Sequence, residues 1–424
     1  MRLFAKIYFI VLPFILYIPN WTVIDLRASQ WLNISILNSF FLGYILLKKT
    51  DNYSYIKNPI FLSFLSLFII SLISIIWADN KVESIVKLTD LFAILSSLLI
   101  IFFFVQHKVL NIKYILSIIA VTLVIDLIGS YYQYFSVLSF SDFNFEYSNS
   151  LRGFYGNKNM TAIVFMIKLP MIIMLGELIN KKYFKILVLS ISFLTFYMIF
   201  LQSSRAAFLG IFLSIIFFFI MMIVRKYYYE NNIKKNLSML LKYSLPLILA
   251  FLFFKITISQ VGEISVENRV SSIIYNSEDA SSLERFRFYS AGLEYIASNP
   301  VFGCGIGNWR ILSIKYDFEK MFSYVVPYFA HNDLLEIFIE TGIFGFFSYL
   351  LFFIFILKIN LLNTFKSLTN DEFPPYYLLI ISFIFLFLDT NLNFPLNRPD
   401  VHICIFMYLA VLEMSNQKLL DVKN

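Results

Sequence analysis

Charge is scarce in this chain: 14% of its 424 residues are Asp, Glu, Lys or Arg, against about 25% in an ordinary soluble domain. Cysteine is scarcer. Cys304 and Cys404 are the only two, too few for a disulfide framework and in no metal-ligand spacing. His107, His331 and His402 are the only histidines, so a multi-histidine metal site is not expected. No metal and no cofactor is called for. What fills the chain is apolar: 59% of the residues are hydrophobic and 50 are Phe. That balance points to an all-α, polytopic membrane protein. The formal net charge of +7 could suggest nucleic acid. In a membrane chain its simpler source is Lys and Arg collected in cytoplasmic loops, and no nucleic-acid partner is expected.

The N-terminus has a basic start and an apolar run with no small-residue cleavage site after it. It reads as a retained first span. Apolar runs of spanning length fall at 3–19, 31–47, 59–77, 84–105, 114–135, 159–178, 185–201, 206–224, 243–257, 333–357, 376–389 and 401–415. They predict about 12 transmembrane helices in a single transmembrane domain over 1–424. Lys and Arg gather in one alternate set of connections, among them Lys48, Lys49, Lys108, Lys181, Lys182, Arg225, Lys226 and Lys358. The positive-inside rule then puts both termini in the cytoplasm and the long 258–332 loop outside.

Unusual polar residues sort to the outside connections. "RGFYGNKN" places Arg152 and Lys158 around two glycines at the mouth of the sixth span. "QSSRAA" pins Arg205 between two spans, where a planar fork suits phosphate oxygens and lipid-phosphate anchoring is the blander role. Within the long loop, Ser281 and Glu284 make a capping box and Asn299-Pro300 a stop. Leu283, Phe286, Leu293 and Ile296 would form one apolar face of an amphipathic helix along the membrane surface. Arg285 and Arg287 ride in its first turns. "GCGIG", Gly303–Gly307, lacks the strand and helix of a nucleotide loop and reads as a tight turn. "NFPLNRPD" brings Arg398 to the same face.

At the end of this loop "AHNDLLEIFIETG" puts His331, Asn332 and Asp333 ahead of an apolar helix. Asp333, Glu336 and Glu340 share one helix face. His331 sits at the outer lip, Glu336 about one turn deeper and Glu340 about two turns in, where it needs a buried partner. A histidine beside arginines and carboxylates is the arrangement a general base needs. His331 is the expected base, with Glu336 the other candidate. Inside the spans, Asp126 and Lys168 lie at equal depth on consecutive helices and are expected to pair. Lys87 and Asp90 could pair along the fourth span.

Taken together and in order, "RGFYGNKNMTA", "SSRAAFLG", "ERFRFYSAGLEYIASNPVFGCGIGNW", "AHNDLLEIFIETGIFGFFSYLLFF" and "NFPLNRPD" resemble the O-antigen ligase and polymerase superfamily over roughly 150–415. The resemblance implies a type C glycosyltransferase-like membrane fold, with the long loop in the periplasm of a bacterium and the protein in its inner membrane. It implies a donor glycan on undecaprenyl diphosphate, inverting transfer to an acceptor hydroxyl, and no metal. It places Arg205, Arg285 and Arg287 on the diphosphate and His331 at the acceptor. Arg152, Lys158, Asn332 and Arg398 complete the expected substrate-binding set, with His331 and Glu336 catalytic. The acceptor would be the lipid A core for a ligase or another lipid-linked repeat unit for a polymerase. A transporter of lipid-linked glycan, working through Asp126 and Lys168, and a non-enzymatic assembly partner are the readings of other classes.

Overall fold

A computed structural model describes residues 1–18, 26–48, 53–139, 145–228, 233–258, 280–320, 328–369 and 375–421. The described residues are helical, with no strand among them. In chain order the helices are α1 (Arg2–Phe14), α2 (Leu26–Leu47), α3 (Pro59–Ser74), α4 (Lys81–Gln106), α5 (Ile112–Leu138), α6 (Lys158–Ile179), α7 (Lys182–Gln202), α8 (Arg205–Tyr228), α9 (Ile233–Ile258), α10 (Ala280–Ser298), α11 (Trp309–Asp317), α12 (Asp333–Thr369), α13 (Leu378–Leu392) and α14 (Pro399–Asp421). Every expected span falls on a helix. Eight helices among the described residues are long and apolar enough to cross a membrane. The 3–19 run is not one of them, because α1 gives way after Phe14 to a 3-10 turn over Ile15–Tyr17. The apolar parts of α9 and α13, Ser244–Thr257 and Leu378–Leu392, are shorter.

Local chemistry sets the helix ends. Asn58, Asn80, Asn111 and Asn157 each cap a following helix with a side-chain oxygen on a free backbone N–H. Asn180 and Ser203 end α6 and α7 in the left-handed conformation. The core is built on α4, α6 and α14. Met160 to Leu175 of α6 is buried almost without interruption, as are Leu98 to Val105 of α4 and Val401 to Leu412 of α14. α12 packs along α3, α13 along α6 and α9 along α7. By contrast α8 turns Leu209, Phe212, Ile216, Phe219 and Ile223 outward, a stripe suited to lipid contact.

The intramembrane pair forms as the sequence suggests. Lys168 Nζ lies 2.6 Å from Asp126 Oδ2, and both side chains are buried. Two tyrosines complete it: Tyr17 donates to Asp126 Oδ1 at 2.8 Å and Tyr155 to Oδ2 at 3.0 Å. A buried pair satisfied on both sides belongs to the frame of the bundle. Lys87 turns away from its own helix and donates to Asn397.

α12 is broken at Gly342, whose φ of 67° and ψ of −165° suit glycine alone. The backbone groups released there are taken up by the turn after α10. Cys304 N donates to Ile339 O at 2.9 Å, Gly305 N to Glu340 O at 2.8 Å, and Ile343 N to Pro300 O at 3.1 Å. "GCGIG" is therefore a turn, as read, and also the plug of a helix break. The first segment of α12, 333–341, meets turns at both its ends: Leu396 beside Asp333, and Pro300–Gly305 beside the break. Glu336 and Glu340 therefore lie in a short helical segment bounded by two turns. α10 ends at Ser298, just before the expected Asn299-Pro300 stop, but its faces divide differently. Leu283, Phe286 and Leu293 point outward, whereas Ile296 is buried with Phe288, Ala291 and Tyr295. The side chain of the expected cap, Ser281, and the loop residues 259–279 and 321–327 lie outside what is described.

Two outcomes test this frame. A Cβ at Gly342 would meet Val301 O at 1.9 Å, whereas one at Gly43 meets nothing within 4 Å. Gly342→Ala should lower stability by about 3 kcal/mol or more, and Gly43→Ala should leave the melting temperature in detergent unchanged or raised. Asp126→Asn strands a buried ammonium and should cost about 3–5 kcal/mol. The double change Asp126→Leu with Lys168→Met should cost far less, and equal losses in both would argue against a frame role.

Candidate active site

The turns at one end of the bundle are stitched into one body. Asn308 Oδ1 accepts from Asn80 N at 2.7 Å, and Ser84 Oγ donates to Ile306 O at 2.6 Å. Gln202, just before the Arg205 turn, donates to Leu151 O at 3.1 Å. Arg398 donates to Tyr155 O. The loops carrying Arg152, Arg205, Gly303, His331 and Arg398 therefore come together, although they are far apart in sequence.

The carboxylate face of α12 is the centre of this body. Asp333, Glu336 and Glu340 are all buried. Asp333 Oδ2 accepts from Leu396 N at 2.7 Å. Glu336 is held twice, by Asn397 Nδ2 at 3.1 Å and by Ala330 N at 2.9 Å. Glu340 finds its buried partner in Trp309 N at 3.2 Å. Asp333 and Glu336 thus both fasten the 395–397 turn, Glu336 also holds Ala330, and Glu340 fastens the start of α11, hydrogen bonds that repay part of the desolvation.

His331 sits where these fastenings meet. Its φ is 54°, a left-handed conformation that costs a non-glycine residue of order 1–3 kcal/mol. Glu336 grips the peptide N–H of Ala330 before it, and Tyr289 donates to its own carbonyl at 3.2 Å. Asn332 caps the next helix through Leu335 N at 3.0 Å. The ring stacks on Phe288 at 5.9 Å and meets Phe394 edge-on at 4.9 Å. Its Nδ1 is buried without a hydrogen-bond partner. Burial, and then the charge of nearby Arg285, hold the imidazole at about 4, below its ordinary 6.5. The ring is therefore neutral at pH 7, with a lone pair available for a proton.

The expected cations separate into two kinds. Arg287 is buried and paired with Asp317 at 3.2 Å, and Arg398 is buried and paired with Asp400 at 2.6 Å. Both brace the end of the bundle from inside. Arg285 lies within Coulombic reach of His331. Arg205 is half-buried at the start of α8, and Arg152 is exposed with its Nε on Asn149 O at 2.8 Å. Lys158 donates to Ser148 at 2.7 Å. Asn332 serves the backbone as a helix cap. Glu336 reaches His331 through Ala330 rather than by side-chain contact. Sequence reading passed over Tyr289, Phe288 and Phe394, which lie inside the quoted motifs, since aromatic residues are too common here to stand out. It set Lys87 beside Asp90 and not at this site. Among the described residues no cluster of His, Cys, Asp and Glu could hold a metal ion.

Fold and site together define a polytopic, all-helical membrane protein with a polar, arginine-bearing centre built at one end. Residues 190–350 match the family model described as O-antigen ligase, which bears out the resemblance to the O-antigen ligase superfamily and supports a ligase-type glycosyltransferase. The matched segment includes Arg205, Arg285, Arg287, His331, Asn332 and Glu336. It leaves out Arg152, Lys158 and Arg398. No curated protein matches the chain.

The environment of His331 yields a titration outcome. NMR of its imidazole in detergent should give about 4, and Arg285→Gln should move the value upward toward 6.5. An ordinary value in both proteins would remove the electrostatic account. The unfolded chain takes up this proton first, so the group weakens folding as pH falls from 6.5 to about 4.

Proposed function

We propose that the protein transfers a glycan from undecaprenyl diphosphate to an acceptor hydroxyl at the periplasmic face of the bacterial inner membrane. The acceptor is the lipid A core. The observation that carries this reading is His331: a strained, neutral histidine clamped by Glu336 and Tyr289, within Coulombic reach of Arg285. Strain of that kind persists where the surroundings over-determine it, and it clusters at active sites.

The chemistry follows from the groups present. The acceptor oxygen forms a bond to the anomeric carbon while the bond from that carbon to the diphosphate oxygen breaks, with inversion. The electron pair leaves with undecaprenyl diphosphate, and the acceptor proton passes to the His331 imidazole. Negative charge grows on the diphosphate as the bond breaks. Arg205 and Arg285, with Arg152 and Lys158 toward the glycan side, stabilise that charge. Arg205 heads the outward-facing stripe of α8, so a polyprenyl-anchored diphosphate can reach it from the bilayer. Arg287, Arg398, Asn332 and Glu336 hold the site in shape. No step calls for a metal. Both termini lie in the cytoplasm. Joining one lipid-linked repeat unit to another would use the same donor, the same bond change and the same residues, with a different acceptor.

His331→Ala should lower kcat by about 10²–10⁴-fold, and Arg205→Ala or Arg285→Ala by about 10²–10³-fold, in protein that still inserts. Full transfer by His331→Ala in purified membranes would sink the assignment of the base. Deleting the gene and running a lipopolysaccharide gel separates the acceptors. Loss of all long chains with lipid-linked polymer retained marks the lipid A core, and a core with one repeat marks polymerisation.

A further inference from the structure

Lys87 stands in the second turn of α4, outside the 190–350 match, and no motif surrounds it. Its side chain is buried, at 2% exposure. An ammonium so far from water needs acceptors and counter-charge. It has both. It donates to Asn397 Oδ1 in the turn before α14, and it lies within Coulombic reach of Asp333, Glu340 and His402. The contacts continue beyond Asn397. The same amide donates from Nδ2 to Glu336 Oε1 at 3.1 Å. The other oxygen of Glu336 accepts from Ala330 N at 2.9 Å, the peptide N–H immediately before His331. Side chains from α4, the 395–397 turn and α12 thus stand in series, and the series ends on the backbone of the histidine.

We propose that Lys87 is a positioning residue for His331, acting through Asn397 and Glu336. This rests on the reading of His331 as the group that takes the acceptor proton. The ammonium fixes which way the Asn397 amide faces, with its oxygen toward α4 and its NH2 toward Glu336. Without it the amide turns freely and Glu336 loses a donor. The grip on Ala330 N slackens, and the left-handed His331 relaxes out of place. A displacement of about 1 Å at a reacting group costs on the order of 100-fold in rate. The series touches acceptor activation and leaves the diphosphate arginines alone.

The test is a double-mutant cycle on purified enzyme, with undecaprenyl-diphosphate-linked glycan as donor and lipid A core oligosaccharide as acceptor. Lys87→Met keeps the stem and removes the charge, and Asn397→Ala removes the next link. Each should lower kcat by about 100-fold with donor KM unchanged. The double variant should be no worse than the poorer single, because links in series cannot be lost twice. Wild-type kcat in Lys87→Met, multiplying losses, or a raised donor KM with kcat retained would each overturn the proposal. If Lys87→Met does not insert, Asn397→Ala and Glu336→Gln are read the same way and must show equal, non-additive losses. His331→Ala is the control. If it is inactive while Lys87→Met is normal, positioning alone fails. If it keeps full kcat, the base assignment fails and the positioning role with it.

Discussion

A backbone cannot leave its hydrogen bonds unmade in apolar surroundings, and this requirement organises the end of the bundle that carries the site. The break in α12 at Gly342 strands carbonyls and an N–H. The Pro300–Gly305 turn supplies the partners. Once that turn is seated, α10 and α11 pack against α12, and the 333–341 segment is held between two turns. From there Asp333 and Glu336 reach the 395–397 turn, Glu336 also reaches Ala330, and Glu340 reaches Trp309. His331 then inherits its geometry from fastenings made for the backbone.

Charge is handled by division of labour. Arg287 and Arg398 spend their forks on Asp317 and Asp400 inside the protein. Arg205, Arg285 and Arg152 stand nearer the rim. The proposed transfer calls for both kinds: cations that meet substrate, and cations that keep the first set from drifting. The Asp126–Lys168 pair belongs to neither. Closed by Tyr17 and Tyr155, it has the character of structure, which weighs against a transport path through it.

Much of this was legible in the sequence. Hydropathy located every helix that was expected to span, because long apolar runs have few alternatives in a membrane. Asp126 and Lys168 were matched by depth alone. The ordered loop motifs led to the family, and His331 emerged from its neighbours. Three features were not legible, each for a physical reason. The break at Gly342 was hidden because glycine within an apolar run does not by itself signal a non-helical angle. Arg287 and Arg398 could not be separated from Arg205 and Arg285, because Asp317 carries no motif and the spacing of Arg398 and Asp400 does not show that their side chains meet. Lys87 was assigned a neighbour one turn away, whereas its acceptor comes from a turn 310 residues later.

The buried ion pair bears on how the chain enters the membrane. Asp126 and Lys168 are 42 residues apart, on consecutive helices. Each alone at depth would resist insertion by about 2.5–3.5 kcal/mol. Joined, their charges cancel and the resistance falls away. α5 and α6 therefore gain by leaving the translocon as one hairpin rather than in turn. Tyr17, made long before either, waits at the end of α1 to close the pair when the hairpin arrives. The order of synthesis and the order of polar satisfaction coincide, so the earliest helix is also the latch on the first costly one.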